Sequence, residues 1–224
     1  MNKVYMEITG DGSHTLFHPE AGEHYHSIHG AIQESEHVFI EAGLKTVAHE
    51  KQTLDILEVG FGTGLNALLT MHAADKFSLQ VRYTCFEPNP LGVEIYSQLN
   101  YVSLTQFETY QQPFLHMHSS GNGEVIRLLK NFEFVRFLTE IQNINTGDHA
   151  FDLVYFDAFS PAAAPELWTQ EIFTLLRNCV NPGAILVTYS AKGSVRRALQ
   201  AAGFVTERLP GPPGKREMLR GRAV

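Results

Sequence analysis

Residues 54–64, LDILEVGFGTG, place an apolar run directly before three glycines spaced two apart. An apolar run of this kind bounded by glycine reads as a strand buried on both faces, the kind found in parallel sheets. The glycines lead straight into Leu65, Leu68, Leu69 and His72 at helical spacing. The segment is therefore expected to be a strand, a tight turn and a helix, the building block of an α/β sheet.

The block recurs along the chain. LQVRYTCFE (79–87) predicts a second strand, after which Pro88 and Pro90 open a helix through Leu99. Between Ser103 and Lys130 the chain reads as helical around FETYQQPFLHM and looped at SSGNG. FEFVRFL, FDLVYFD (151–157) and AILVTY (184–189) predict three further strands. Leu167, Trp168, Ile172, Leu175, Leu176 and Cys179 line one helix, with Trp168 on its buried face, and Val195, Ala198, Leu199 and Ala202 line another. Phe204 to Arg208 and Arg216 to Arg220 flank PGPPG and are expected to pair antiparallel. Parallel neighbours need crossover helices, so the expected fold is α/β: a doubly wound, mostly parallel seven-stranded sheet ending in an antiparallel hairpin. Upstream, VYMEI and HTLF predict two short strands turned at Asp11-Gly12, and Ile32, Phe39, Gly43 and Val47 mark a first amphipathic helix. Residues 1–27 are thus expected to form a small β extension and residues 28–224 one α/β domain.

With 224 residues, 44% hydrophobic and 18% charged, the chain can bury one core, which excludes a disordered or collagen-like protein. No uninterrupted apolar run is long enough for a membrane helix and Glu7 interrupts the N-terminal segment, so a cytoplasmic protein is expected. Cys85 and Cys179 lie in apolar stretches and read as small buried hydrophobes. Six of the eleven histidines fall between His14 and His37, but their spacing matches no compact ligand set, so surface and cap positions are expected and no metal. The net charge of −7 excludes a general nucleic-acid coat. Its distribution is uneven: Lys192 to Val224 holds eight basic residues against Glu207 and Glu217, a net +6 that leaves −13 on residues 1–191. A polyanion docking at one end fits this, with Arg196, Arg197, Lys215 and Arg216 as candidate phosphate contacts; a solvated helix face and a charged last strand fit it as well.

Ligands of such sheets collect at the carboxyl ends of the strands. There Gly60 permits the turn, Gly62 lets a ligand approach the backbone and Gly64 lets the helix start close to the sheet. A dinucleotide-binding turn has its third glycine one position later, and Glu58 would repel a pyrophosphate; it suits a cationic ligand such as the amino group of S-adenosylmethionine. Glu87, closing the second strand, is placed to accept from adjacent ribose hydroxyls, and Glu140 either takes an adenine amine or is a solvated helix residue. FDLVYFD delivers Asp157, followed by Ala158, Phe159, Ser160 and Pro161.

On these pieces the chain resembles class I S-adenosylmethionine-dependent methyltransferases. More narrowly, DGSHTLF, GAIQESEHVFI, ILEVGFGTGLNALLT, FDLVYFDAFSPAAAPELWTQEIF, PGAILVTYSAKGSVRRALQAAGF and PGPPGKREMLRG are similar to the methyltransferase half of the bifunctional enzymes that build 5-methylaminomethyl-2-thiouridine at the tRNA wobble position. The resemblance implies methyl transfer from S-adenosylmethionine to the amine of 5-aminomethyluridine in tRNA. It implies Gly60, Phe61, Gly62, Gly64 and Glu87 as cofactor contacts, joined by Glu58, Glu140 and Asp157, and Asp157 and Phe159 as the groups at the target amine and base. Because the sequence stops at Val224, the methylation step alone is expected, with a separate enzyme supplying the amine. Ala163 and Ala164 stand where the resemblance leads one to expect lysine and asparagine. Two rival functions share the pattern: an aminopropyltransferase acting on polyamines, which a basic tail disfavours, and a non-catalytic module that binds adenosyl ligands or tRNA.

Overall fold

The computed structural model describes residues 4–144 and 150–224. Strands β1 (Tyr5–Ile8), β2 (His14–His18) and β3 (Glu23–His24) form a small antiparallel sheet. The main sheet contains β4 (Thr53–Val59), β5 (Gln80–Phe86), β6 (Val125–Leu129), β7 (Phe132–Phe137), β8 (Phe151–Phe156), β9 (Val180–Thr188), β10 (Phe204–Pro210) and β11 (Glu217–Ala223). Their order is β10-β11-β9-β8-β4-β5-β7-β6. The five central strands run parallel; β10 and β11 pair antiparallel with each other, as expected, and β11 joins β9 antiparallel. The sheet has eight strands rather than seven, because VIRLL forms β6 and pairs antiparallel with β7 at the far edge.

The two faces are packed separately. Leu153 and Tyr155 of β8 join Tyr83, Phe132 and Phe134 in one core, beneath the helix Leu65–Lys76 and the helical run from Ala31 to Ala48. Val154 and Phe156, with the alternate side chains of their neighbours, join a second core covered by the helices Gln170–Asn178 and Gly193–Ala201. This period of two, apolar on both sides, is what makes the central strands continuous apolar runs. The first helix departs from regular α geometry: Glu36–Leu44 is π-helical, and it lies so close to the sheet that a Cβ on Gly43 would come within 3.0 Å of Val187.

Two further expectations are corrected. The helix opened by Pro88 and Pro90 is confined to Val93–Tyr96. Trp168 precedes its helix, after a 3-10 turn at Pro165–Leu167; it is buried there, stacking edge-on against Phe156, with its indole N–H donating to the Phe159 carbonyl at 2.7 Å. None of the helices among the described residues is long and apolar enough to cross a membrane.

Candidate functional site

From β4 the chain runs outward through β5 to β7, then returns to pair β8 on the opposite side of β4. The carboxyl ends of β4, β5 and β8 therefore diverge, and a cleft of about 730 Å³ opens there. Gly60, Gly62, Glu87, Glu140, Asp157 and Phe159 all line it.

The glycine turn makes the close approach possible. Gly60 has φ +90°, and a Cβ on it would meet the Asp157 carbonyl at 2.7 Å, so strands β4 and β8 converge only because this position is bare. Glu87 lies one residue past β5, where its buried carboxylate accepts the Gly62 N–H at 2.8 Å and the Asn89 N–H at 2.9 Å. Burial raises its pKa. Each oxygen accepts one of these bonds, and an ionised carboxylate oxygen has room to accept another.

Asp157 lies one residue past β8. Burial first, then the neighbouring Glu34, raise its carboxyl to about 7, while the Asn66 amide and the Lys215 ammonium oppose the shift. Tyr189 of the adjacent loop donates its hydroxyl to the Ala158 carbonyl at 2.8 Å, fixing the backbone just after the acid. Phe159 meets the ring of Tyr25 at 5.1 Å and that of His18 at 5.5 Å, both edge-on. Glu23 accepts the Ser160 N–H at 3.0 Å and also its hydroxyl. The small N-terminal sheet thus roofs the cleft, and Tyr25 reaches across to the glycine turn, where a Cβ on Gly62 would lie 3.0 Å from its ring.

Three expected contacts lie elsewhere. Glu58 is fully buried, and neither it nor Phe61 nor Gly64 lines the cleft. Phe61 packs against His118 and Phe134, and Gly64 starts the helix with a left-handed φ of +74°. Glu58 accepts a hydrogen bond from Asn66 at 2.9 Å, and burial pushes its pKa well up. Of the tail cations, Lys215 reaches into the cleft, 2.6 Å from Glu34 and 3.9 Å from the centre of the Tyr189 ring. Arg208 pairs with Glu217 and Arg220 with Glu207. Arg196, Arg197 and Arg216 lie outside the cleft, without a carboxylate partner among the described residues.

The histidines scatter. His18 accepts the Ala21 N–H as a cap and His24 pairs with Glu7, but His26 is buried against the Thr63 hydroxyl, which corrects its expected surface position. Burial lowers its pKa to about 4. Among the described residues no cluster of three or more His, Cys, Asp or Glu is arranged to hold a metal ion. Sequence reasoning assigned no role at the site to Glu34, Asn66, Tyr25, His18 or Tyr189, although Glu34, Asn66 and Tyr189 lie inside segments that carry the resemblance.

A family model described as S-adenosyl-L-methionine-dependent methyltransferase matches residues 122–223. The tRNA 5-methylaminomethyl-2-thiouridine biosynthesis bifunctional protein MnmC of Aromatoleum aromaticum is 35% identical over 230 residues, covering 97% of this chain and 35% of that protein. The chain spans about a third of the length of the curated relatives it matches. The crystal structure of MNMC2 from Aquifex aeolicus superposes with a TM-score of 0.79 at 27% identity, over 99% of this chain and 70% of that one. Spermidine synthase from Thermotoga maritima shares the fold alone, with a TM-score of 0.53 at 14% identity, over 100% of this chain and 73% of that one. With a bare glycine turn and acids one residue past β5 and β8 lining its cleft, the chain is an S-adenosyl-L-methionine-dependent methyltransferase that closely resembles the MnmC family.

Proposed function

We propose that this methyltransferase acts on a primary amine, the 5-aminomethyl group of a tRNA wobble uridine, with or without the 2-thio group, to give the 5-methylaminomethyl nucleoside. The observation that carries the reading is Asp157: a cleft-lining carboxyl raised to about 7, one residue past β8 and two before an aromatic ring.

The cofactor fits the other side of the cleft. Gly60 and Gly62 leave room for its backbone approach, Glu87 takes the ribose hydroxyls and Glu140 faces the adenine amine. Bound S-adenosylmethionine supplies a methyl group made electrophilic by the sulfonium. An alkylamine is mostly protonated near neutral pH and has no lone pair to offer until that proton leaves. Asp157 accepts it: a carboxyl raised to about 7 is ionised in part at neutral pH and is a stronger base than an ordinary carboxylate, which narrows the gap to the ammonium. Phe159, supported from behind by Tyr25 and His18, offers a ring for the extruded base. Positioning supplies most of the rate, since the amine nitrogen must lie in line with the breaking bond. Arg196, Arg197 and Arg216 hold the phosphates outside the cleft.

The test is incubation with labelled S-adenosylmethionine and tRNA bearing 5-aminomethyluridine, beside polyamines as the rival acceptor. Label in the wobble nucleoside supports the proposal. Label in polyamine, or none in either, rejects it.

A further inference from the structure

Asn66 contacts neither cleft nor solvent, yet its side chain joins two carboxyl groups. Its Nδ2 donates to Glu58 Oε1 at 2.9 Å and to Asp157 Oδ2 at 2.8 Å. Asn66 is buried in the first turn of the helix that follows the glycine turn. Its own Oδ1 has no hydrogen-bond partner among the described residues, so both of the amide's hydrogen bonds are the ones it donates. With the nitrogen toward the acids, one NH2 group serves a carboxyl oxygen of each.

We infer that Asn66 is a positioning residue that aims the Asp157 carboxylate into the cleft, and that Glu58 serves to orient Asn66 rather than to touch the cofactor. Glu58 projects from the same face of β4 as Ile56, beneath the helix, where it fixes one amide proton of Asn66 and so directs the second at Asp157. The inference rests on the assignment of Asp157 as the acid at the amine. Other groups also bear on Asp157: Glu34 from the first helix, Lys215 from the loop before β11, Tyr189 after β9 and Glu58 within β4. Asn66 differs from them in donating directly to the carboxylate, which favours its charged form.

Two readouts test this. In the full chain without cofactor, Asp157 is titrated by carboxyl carbon NMR; Asn66→Ala is expected to raise its midpoint by about one pH unit. In turnover with labelled S-adenosylmethionine and tRNA bearing 5-aminomethyluridine, Asn66→Ala is expected to lower kcat about 30-fold, move the acid limb of the rate profile upward and leave cofactor affinity unchanged. Combined with Asp157→Ala it should add nothing to the loss that Asp157→Ala causes alone. Asn66→Ser keeps one donor, and serves in the NMR titration and the cycle if the alanine variant does not fold. An unmoved Asp157 midpoint, or additive losses in the cycle, overturns the inference. If Asp157→Ala turns over at the wild-type rate, the assignment of Asp157 falls instead, while the NMR titration still decides what Asn66 does.

Discussion

Gly60 and Asp157 meet backbone to backbone: the bare α-carbon of Gly60 faces the carbonyl of Asp157 so closely that no side chain fits between them. The turn at the cleft is thereby held by the same contact that sets the position of the cleft-lining acid Asp157. Gly60→Ala must therefore disturb both, through a strained φ of +90° and a 2.7 Å collision. A loss of about 2–3 kcal/mol is expected in denaturant unfolding, together with weaker cofactor binding by calorimetry.

Asp157→Ala should abolish most turnover, by about 100-fold or more, while calorimetry shows cofactor affinity retained. Methylation of tRNA at the wild-type rate by this variant would remove the proton-accepting role.

Buried Glu58 and half-buried Asp157 also predict how stability depends on pH. Folding raises the carboxyl of Glu58 well above 4.5 and that of Asp157 from 3.8 to about 7. The folded chain therefore holds more protons than the unfolded one across these windows, and stability falls as pH rises through them. Glu58→Gln keeps an oxygen for Asn66 and removes the ionisation. It is expected to melt about 3 °C above wild type at pH 8, the equivalent of ~1 kcal/mol for a chain of this size, with no difference below pH 4. Scanning calorimetry across that range checks it; parallel curves for the two proteins would show that Glu58 does not titrate differently on folding.

What the sequence revealed and what it hid follow from one geometric fact. Glu87 and Asp157 each lie one residue beyond their strands, where the side chain faces the cleft, and both were found. Glu58 lies inside β4, where alternation turns it under the helix with Ile56, and a motif read along the chain does not say which face a residue takes. The central strands were legible because burial on both faces makes them continuously apolar; β6, a short edge strand with alternate residues exposed, was not. Charge counting placed Lys215 among the tail cations, but its partner Glu34 is 181 positions away in the chain.

That pairing sets Lys215 apart from the cations that have no carboxylate partner among the described residues. Replacing Arg196, Arg197 and Arg216 with alanine is expected to weaken tRNA binding and reduce the steepness of its logarithmic salt dependence by about 2, with cofactor affinity unaffected. Lys215→Ala should instead leave the slope close to wild type, because its charge is already matched by Glu34. Filter binding from low to high salt distinguishes the two variants. Equal slopes in the triple variant and wild type would clear these arginines of phosphate contact.

The roof over Phe159 is built from the first strands, yet one of its fastenings lies far along the sequence: Glu23 clasps Ser160 across 137 positions. Other attachments lie nearer in sequence: the Asn100 side chain accepts the His14 N–H at 2.8 Å and donates to the Gly12 carbonyl at 2.9 Å. Closing the longer of these loops is slow compared with forming the hairpin itself. The wall beside Phe159 therefore depends on a contact of high sequence separation, which closes later than the local pairing of the sheet that carries Glu23.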